Sequence, residues 1–138
     1  MYSMDGIEAP IQEICDLADE FNAMTFIDEV HTVGLYNHDG AGVAALYGVS
    51  DRITIIQGTF GKAFGTIGGY IAGDDHVIDA IRSSGRGFIF TTALPPAIAA
   101  GTIESIKYLH NSNKERTQQQ EIADTLRRKL NEAGIKPI

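Results

Sequence analysis

Short apolar, β-branched runs alternate along this chain with stretches of helical period, and that alternation narrows the fold more than any other feature. Pro10 opens a helix whose apolar positions are Ile11, Ile14, Cys15, Leu17, Ala18 and Phe21, with acids on the other side. Met24–Asp28 reads as a short buried strand, and residues 34 to 51, with Gly34, Gly40, Gly42 and Gly48, read as loop. Ile53–Gln57 and Gly68–Gly73 read as a second and a third strand. Residues 75 to 84 form an amphipathic helix on Val77, Ile78 and Ile81, and Phe88–Thr91 is expected to be a fourth strand. Pro95-Pro96 then opens a helix reaching about His110, which Asn111-Ser112-Asn113 breaks. Residues 114 to 132 follow as a polar helix with a thin stripe of Ile122, Leu126 and Leu130. Gly134 caps it, and Ile135–Ile138 looks like a strand cut short. This order implies an α/β layer, a mainly parallel sheet flanked by helices. Both ends fall inside structured elements, so the expectation is the middle of a longer chain.

Composition limits the partners. The 138 residues are 43% hydrophobic, enough for one sizeable core. A net charge of −7 argues against nucleic acid or an anionic membrane as the main partner. It leaves room for an anionic cofactor, because backbone amides and hydroxyls hold phosphate locally. No apolar run approaches the roughly 20 residues of a membrane span. The one cysteine, Cys15, allows no internal disulfide and reads as a buried structural thiol.

Lys62 carries the chemistry. It is a lone cation in Gly58-Thr59-Phe60-Gly61-Lys62-Ala63-Phe64-Gly65, among small and apolar neighbours. An amine in a dry, glycine-lined turn can lose its proton and attack a carbonyl. Upstream, Thr25-Phe26-Ile27-Asp28-Glu29-Val30-His31 is an apolar run ending in acids and an imidazole. A carboxylate at a strand end can keep a heteroaromatic nitrogen protonated. A Schiff-base lysine and such an acid are what a pyridoxal phosphate (PLP) site needs. Thr59 offers a hydroxyl suited to a phosphate oxygen. Thr91 and Thr92, before Pro95-Pro96, read either as a helix cap or as a second phosphate contact. Whether Asp28 or Glu29 faces the site is left open by the turn that follows.

Three rival patterns stand beside this one. Asp28-Glu29-Val30-His31 also looks like the magnesium-binding strand of a DExH-type ATPase, with Glu29 orienting the attacking water. That reading needs a loop of pattern G-x-x-x-x-G-K-[ST], which Gly58–Ala63 fails in spacing. Gly40-Ala41-Gly42-Val43-Ala44-Ala45 fits G-x-G-x-x-A, but it follows a turn-like stretch rather than a strand. Asp28, His31, His38 and Asp39 offer metal donors at no distinctive spacing.

Taken in order, Asp28–His31 with Val33-Gly34, Gly58–Gly65, Gly68–Gly73 and Gly87–Pro96 resemble blocks of the α-oxoamine synthases, as does Tyr2–Gly6 with Ala9-Pro10. These are fold-type I (aspartate aminotransferase-like) PLP enzymes, and the resemblance runs from residue 2 to about residue 110. It implies that residues 1–110 are part of the large PLP-binding domain. Residues 111–138 would be the connecting helix and the start of a C-terminal small domain. It further implies that Lys62 forms the Schiff base to PLP and Asp28 binds the pyridine nitrogen. His31, with Ser3 assisting, would bind the phenolic oxygen, and Thr59 the phosphate. Thr91 and Thr92 would reach the phosphate of the neighbouring subunit of a homodimer. The branch most resembled condenses glycine with succinyl-coenzyme A, releasing coenzyme A and CO2 on the way to haem, with Lys62 removing the α-proton. Siblings acting as 2-amino-3-ketobutyrate ligase or 8-amino-7-oxononanoate synthase stay open. Ile7-Glu8, Phe60, Asn37-His38-Asp39 and Ser84-Gly85-Arg86 depart from the pattern without touching the cofactor residues. The family's glycine-rich phosphate loop and the arginine for the substrate carboxylate lie outside this sequence, so it is expected to be inactive alone. The compartment implied is the cytoplasm of a bacterium or the mitochondrial matrix of a eukaryote.

Overall fold

The computed structural model of the chain describes residues 1–136. Helix α1 (Ile11–Glu20) follows Pro10, which sits just before the helix rather than in its first turn. Ile11, Cys15 and Ala18 recur at helical spacing and form its buried face. Leu17, one of the expected stripe residues, is 56% exposed, and Phe21 is exposed as well. They lie on the neighbouring face of the helix, which nothing among the described residues covers.

Strand β1 (Phe26–Asp28) pairs in parallel with β2 (Ile55–Thr59), with Asp28 opposite Gln57. The pairing is locked where it begins by two reciprocal bonds. The Thr25 amide donates to Thr54 Oγ1 at 3.1 Å and the Thr54 amide to Thr25 Oγ1 at 2.9 Å. Strand β3 (Gly69–Gly73) runs antiparallel to β2, with Thr59 opposite Gly69. The expected α/β layer is present, and the sheet is mixed, in the order β1-β2-β3. Strand β2 starts two residues later than expected because Ser50–Arg52 forms a 3-10 turn that carries the chain into Ile53. The stretch expected to be loop also contains a short helix, α2 (Val43–Leu46). The core gathers α1, α2 and one face of the sheet around Ile11, Cys15, Val43, Ala44, Val49 and Ile53.

Beyond the sheet come α3 (Asp75–Ser84), α4 (Arg86–Ile89), α5 (Pro96–Asn111) and α6 (Lys114–Glu132). Helix α3 is capped by Asp74, whose carboxylate accepts from the His76 amide at 2.8 Å. Helix α4 corrects the fourth strand expected at Phe88–Thr91. The amides of Phe88 and Ile89 both reach the Gly85 carbonyl at 2.9 Å, so this apolar, aromatic stretch satisfies its backbone locally instead of in a ladder. Gly134, at φ 75°, ends α6 as its position suggested. Of the strand expected at 135–138, Ile135 and Lys136 are irregular and the rest lies outside the described residues.

Arg116, in the first turn of α6, is 6% exposed and joins parts of the chain that are far apart in sequence. Its guanidinium donates to the carbonyls of Leu109 and His38, each at 2.8 Å, and to Asn113 Oδ1. Its described hydrogen bonds all go to neutral oxygens.

Candidate active site

Parallel neighbours end at the same edge of a sheet, so the loops leaving β1 and β2 emerge side by side. The first carries His31 and the second, residues 60–68, carries Lys62 on its way to β3. Lys62 Nζ lies 2.8 Å from His31 Nε2. Gly34 is one reason the loops meet. It has φ 83°, and a Cβ there would stand 2.3 Å from Ala63 Cβ, so only glycine lets this backbone rest on the Lys62 loop.

The Lys62 loop is closed at both shoulders. The Thr59 hydroxyl donates to the Gly68 carbonyl at 3.1 Å and accepts from the Gly61 amide at 3.1 Å. The Thr66 amide returns to the Phe60 carbonyl at 2.8 Å. Behind the loop, α5 holds it through Ser105, whose hydroxyl donates to the Phe64 carbonyl at 2.8 Å. Thr102 meets Thr66 hydroxyl to hydroxyl at 2.7 Å. Tyr70 stacks on Phe60 at 5.3 Å between centroids and lies across Gly58, where any Cβ would enter the ring. Burial, and then the nearby Glu29 carboxylate, hold the Tyr70 phenol above the usual tyrosine range. An apolar cavity of about 390 Å³ separates these rings from Val33, Gly34 and Leu109.

Asp28 ends β1 exposed, and its Oδ1 accepts from the Val30 amide at 2.8 Å, which fixes the side chain while leaving Oδ2 available. A second cavity, of about 220 Å³, opens beside it, lined by Tyr2, Ile27 and Val43 among others. Ser3 is exposed in the adjoining N-terminal turn. Thr91 and Thr92 are exposed beyond α4, and among the described residues no hydrogen bond links them to Lys62, His31, Asp28 or Thr59. Asp28, His31, Thr59 and Lys62 thus share one sheet edge, whereas the two later threonines stand apart.

The question of facing between the two acids has a clear answer. Glu29 is buried, accepting from the amides of Val43 at 3.1 Å and Ala44 at 2.7 Å and from the Thr32 hydroxyl. This removes the ATPase reading, because a carboxylate held by buried backbone amides cannot orient water. It also removes the dinucleotide reading of Gly40–Ala45. Gly42 does open a helix, but the anion at its amides is Glu29 itself. Among the described residues no group of three or more His, Cys, Asp and Glu side chains is arranged to hold a metal ion. His38 and Asp39 are engaged instead by Asn37.

Sequence reasoning missed Glu29 as an anchor and Arg116 as a tether. Their partners are mostly backbone groups, which leave no pattern of residue types. The nearest signal for Glu29 was the pair Gly40 and Gly42, which marks a close approach without saying what approaches.

A lysine in the loop after β2, at hydrogen-bond distance from an imidazole in the loop after β1, on a mixed α/β sheet defines a class, and comparison with known proteins identifies it. The chain belongs to the class I and II aminotransferase family, whose profile matches residues 1–138. It is 55% identical over 135 residues to a 5-aminolevulinate synthase of Rhizobium meliloti and 55% identical over 137 residues to one of Paracoccus denitrificans. These matches take in 98% of this chain but 33% and 34% of the relatives, so the chain spans about a third of their length. Among solved structures it superposes on a serine palmitoyltransferase from S. paucimobilis with a bound PLP–myriocin adduct. That match has a TM-score of 0.90 and 33% identity, covering 97% of this chain and 34% of the other. An 8-amino-7-oxononanoate synthase from Francisella tularensis, at TM-score 0.86 and 22% identity, shares the fold over 99% of this chain and 40% of its own.

Proposed function

We propose that this chain is a segment of a PLP-dependent acyltransferase that condenses glycine with succinyl-coenzyme A to 5-aminolevulinate, coenzyme A and CO2, serving tetrapyrrole synthesis. One observation carries the PLP reading. The aldehyde and the phenolic oxygen of PLP sit on neighbouring ring atoms, so the amine and imidazole serving them must be neighbours too, and Lys62 and His31 are 2.8 Å apart. The residues therefore fit the group. Lys62 would hold the aldehyde carbon, His31 the phenolic oxygen and Asp28 the pyridine nitrogen, and Thr59 would hold a phosphate oxygen by turning its hydroxyl from the Gly68 carbonyl. When bound, PLP supplies an electron sink for the bond that breaks at the substrate α-carbon.

The chain's own residues do the rest. Asp28 holds a proton on the ring nitrogen through its free oxygen. Lys62 would accept the substrate α-proton at Nζ, and His31 would keep that amine in line. The identity to relatives named 5-aminolevulinate synthase supports the choice of substrates. Ser3 assists His31 from the N-terminal turn. Thr91 and Thr92, exposed in this chain, complete the phosphate site of a second copy in a homodimer. Residues 1–110 belong to the large domain and 111–138 lead into a small one. Among the described residues no helix is long and apolar enough to cross a membrane. A cytoplasmic setting fits the bacterial sources of the relatives.

Absorbance spectroscopy of the full-length protein tests this. Added PLP should give a visible band that borohydride bleaches, leaving the cofactor fixed on the Lys62 peptide, and that Lys62→Ala abolishes. A protein that takes up PLP with an unchanged band in Lys62→Ala would overturn the assignment. Asp28→Asn should retain the band while lowering turnover by about a hundredfold or more. Undiminished turnover in that variant would remove Asp28 from its role.

A further inference from the structure

Glu29 is 2% exposed, carries a carboxylate, and has no part in the chemistry assigned above. We propose that it is a positioning residue, which sets His31 against Lys62 by pinning both ends of the segment between β1 and α2. The proposal rests on the pairing of Lys62 and His31 in the reading just given.

Every polar group of Glu29 is engaged in this. Its amide donates to the Gln57 carbonyl at 2.8 Å, tying it to β2. Its carbonyl accepts from the amides of Thr32 and Val33, both at 2.9 Å, so residues 30–33 wrap around it with His31 inside the turn. Its carboxylate takes the far end of the segment at the amides of Val43 and Ala44, and the near end at the Thr32 hydroxyl. Gly42 permits the approach, since a Cβ there would stand 2.9 Å from Oε2. The turn so fixed delivers Gly34 onto Ala63, and with it the Lys62 loop.

The donor set explains the residue type. All three partners donate and a carboxylate only accepts, so glutamine would turn one N–H against another. Alanine would leave two buried amides without partners. A loosened turn would still carry His31, but no longer at hydrogen-bond distance from Nζ. Displacements near 1 Å are enough to cost about a hundredfold in a reacting pair.

A double-variant cycle in the full-length protein tests this, using Glu29→Gln, His31→Asn and the pair together. Two rates are read. One is the growth of the visible band when PLP is added to stripped protein. The other, independent of PLP, is the acetylation of Lys62 by acetic anhydride relative to Lys107 in the same molecule. Glu29→Gln should change both rates in the direction His31→Asn does, by about tenfold for band growth. The pair together should go no further than His31→Asn alone. Additive effects, or a folded Glu29→Gln with both rates intact, would overturn the proposal. Should Glu29→Gln fail to fold, Thr32→Val and Gly42→Ala decide. Each should move the same rates the same way by less, and a folded variant of either kind with unchanged rates would refute it. If wild-type protein forms no band that depends on Lys62, the PLP reading fails, and the acetylation rates still judge Glu29.

Discussion

Cys15 and Ile122 occupy apolar positions on amphipathic helices, and their surroundings are opposite. Cys15 is fully buried among Ile11, Val43 and Val49, where burial pushes its thiol above the usual cysteine range, whereas Ile122 is 61% exposed. The contrast extends to their neighbourhoods. Up to Gly58 the chain closes a core and cross-ties its loops. After it, only Thr102, Leu109 and Arg116 are buried among the described residues, while Phe90 stands 82% exposed. Those three buried side chains are the ones that reach back to the loops around Lys62. The later helices are therefore held by a few polar and backbone ties rather than by a core of their own, which accords with a chain spanning a third of its relatives.

The contrast can be broken most violently at the seam. Gly34→Val would force a β-branched residue to φ 83° and drive its Cβ into Ala63. Urea unfolding of the full-length protein should show a loss of about 3 kcal/mol or more. A loss below about 1 kcal/mol would show that the two loops are not in contact. The next effect compares the two helices directly. Cys15→Ser buries a hydroxyl in an apolar site and should cost about 1–3 kcal/mol. Ile122→Ser should stay within about 0.5 kcal/mol if its face is open in the whole protein as well. An equal cost at both positions would show that α6 gains a covering surface there.

The smallest effect lies at the α5–α6 junction. Glu115 accepts from the Tyr108 hydroxyl at 2.6 Å and the Ser112 hydroxyl at 2.8 Å, and these bonds, Tyr108 first, hold its carboxyl below the usual glutamate range. A carboxyl lowered by folding stabilises the fold above its unfolded pKa and loses that contribution as pH falls through the folded value. Thermal melting should therefore place Glu115→Gln slightly below wild type near neutrality, with the gap closing below about pH 4. A gap constant with pH would mean that the charge contributes nothing.

Much of this was legible in the residues. Apolar runs placed β1, β2 and β3 to within two residues, and helical spacing placed α1, α3, α5 and α6. Lys62, His31, Asp28 and Thr59 stood out as candidates because reactive side chains at strand ends and glycine-lined turns announce themselves by type, and the structure brings the loops that carry them to one sheet edge. Phe88–Thr91 misled, because aromatic and β-branched content signals a strand only when a neighbouring strand is there to pair, and Gly85 offered a nearer carbonyl. Glu29 was seen and given the wrong rival role, since nothing in Asp28-Glu29 says which acid turns inward. That depends on Val43 and Ala44, whose contribution is made by backbone alone.

Arg116 has a mechanical consequence. It clips the first turn of α6 to the carbonyl of His38, 78 positions earlier in the chain. Traction on the C-terminal end would reach the bend after β1 through that clip before it reached the strands. In a single-molecule pulling experiment, the clip should yield before the strands.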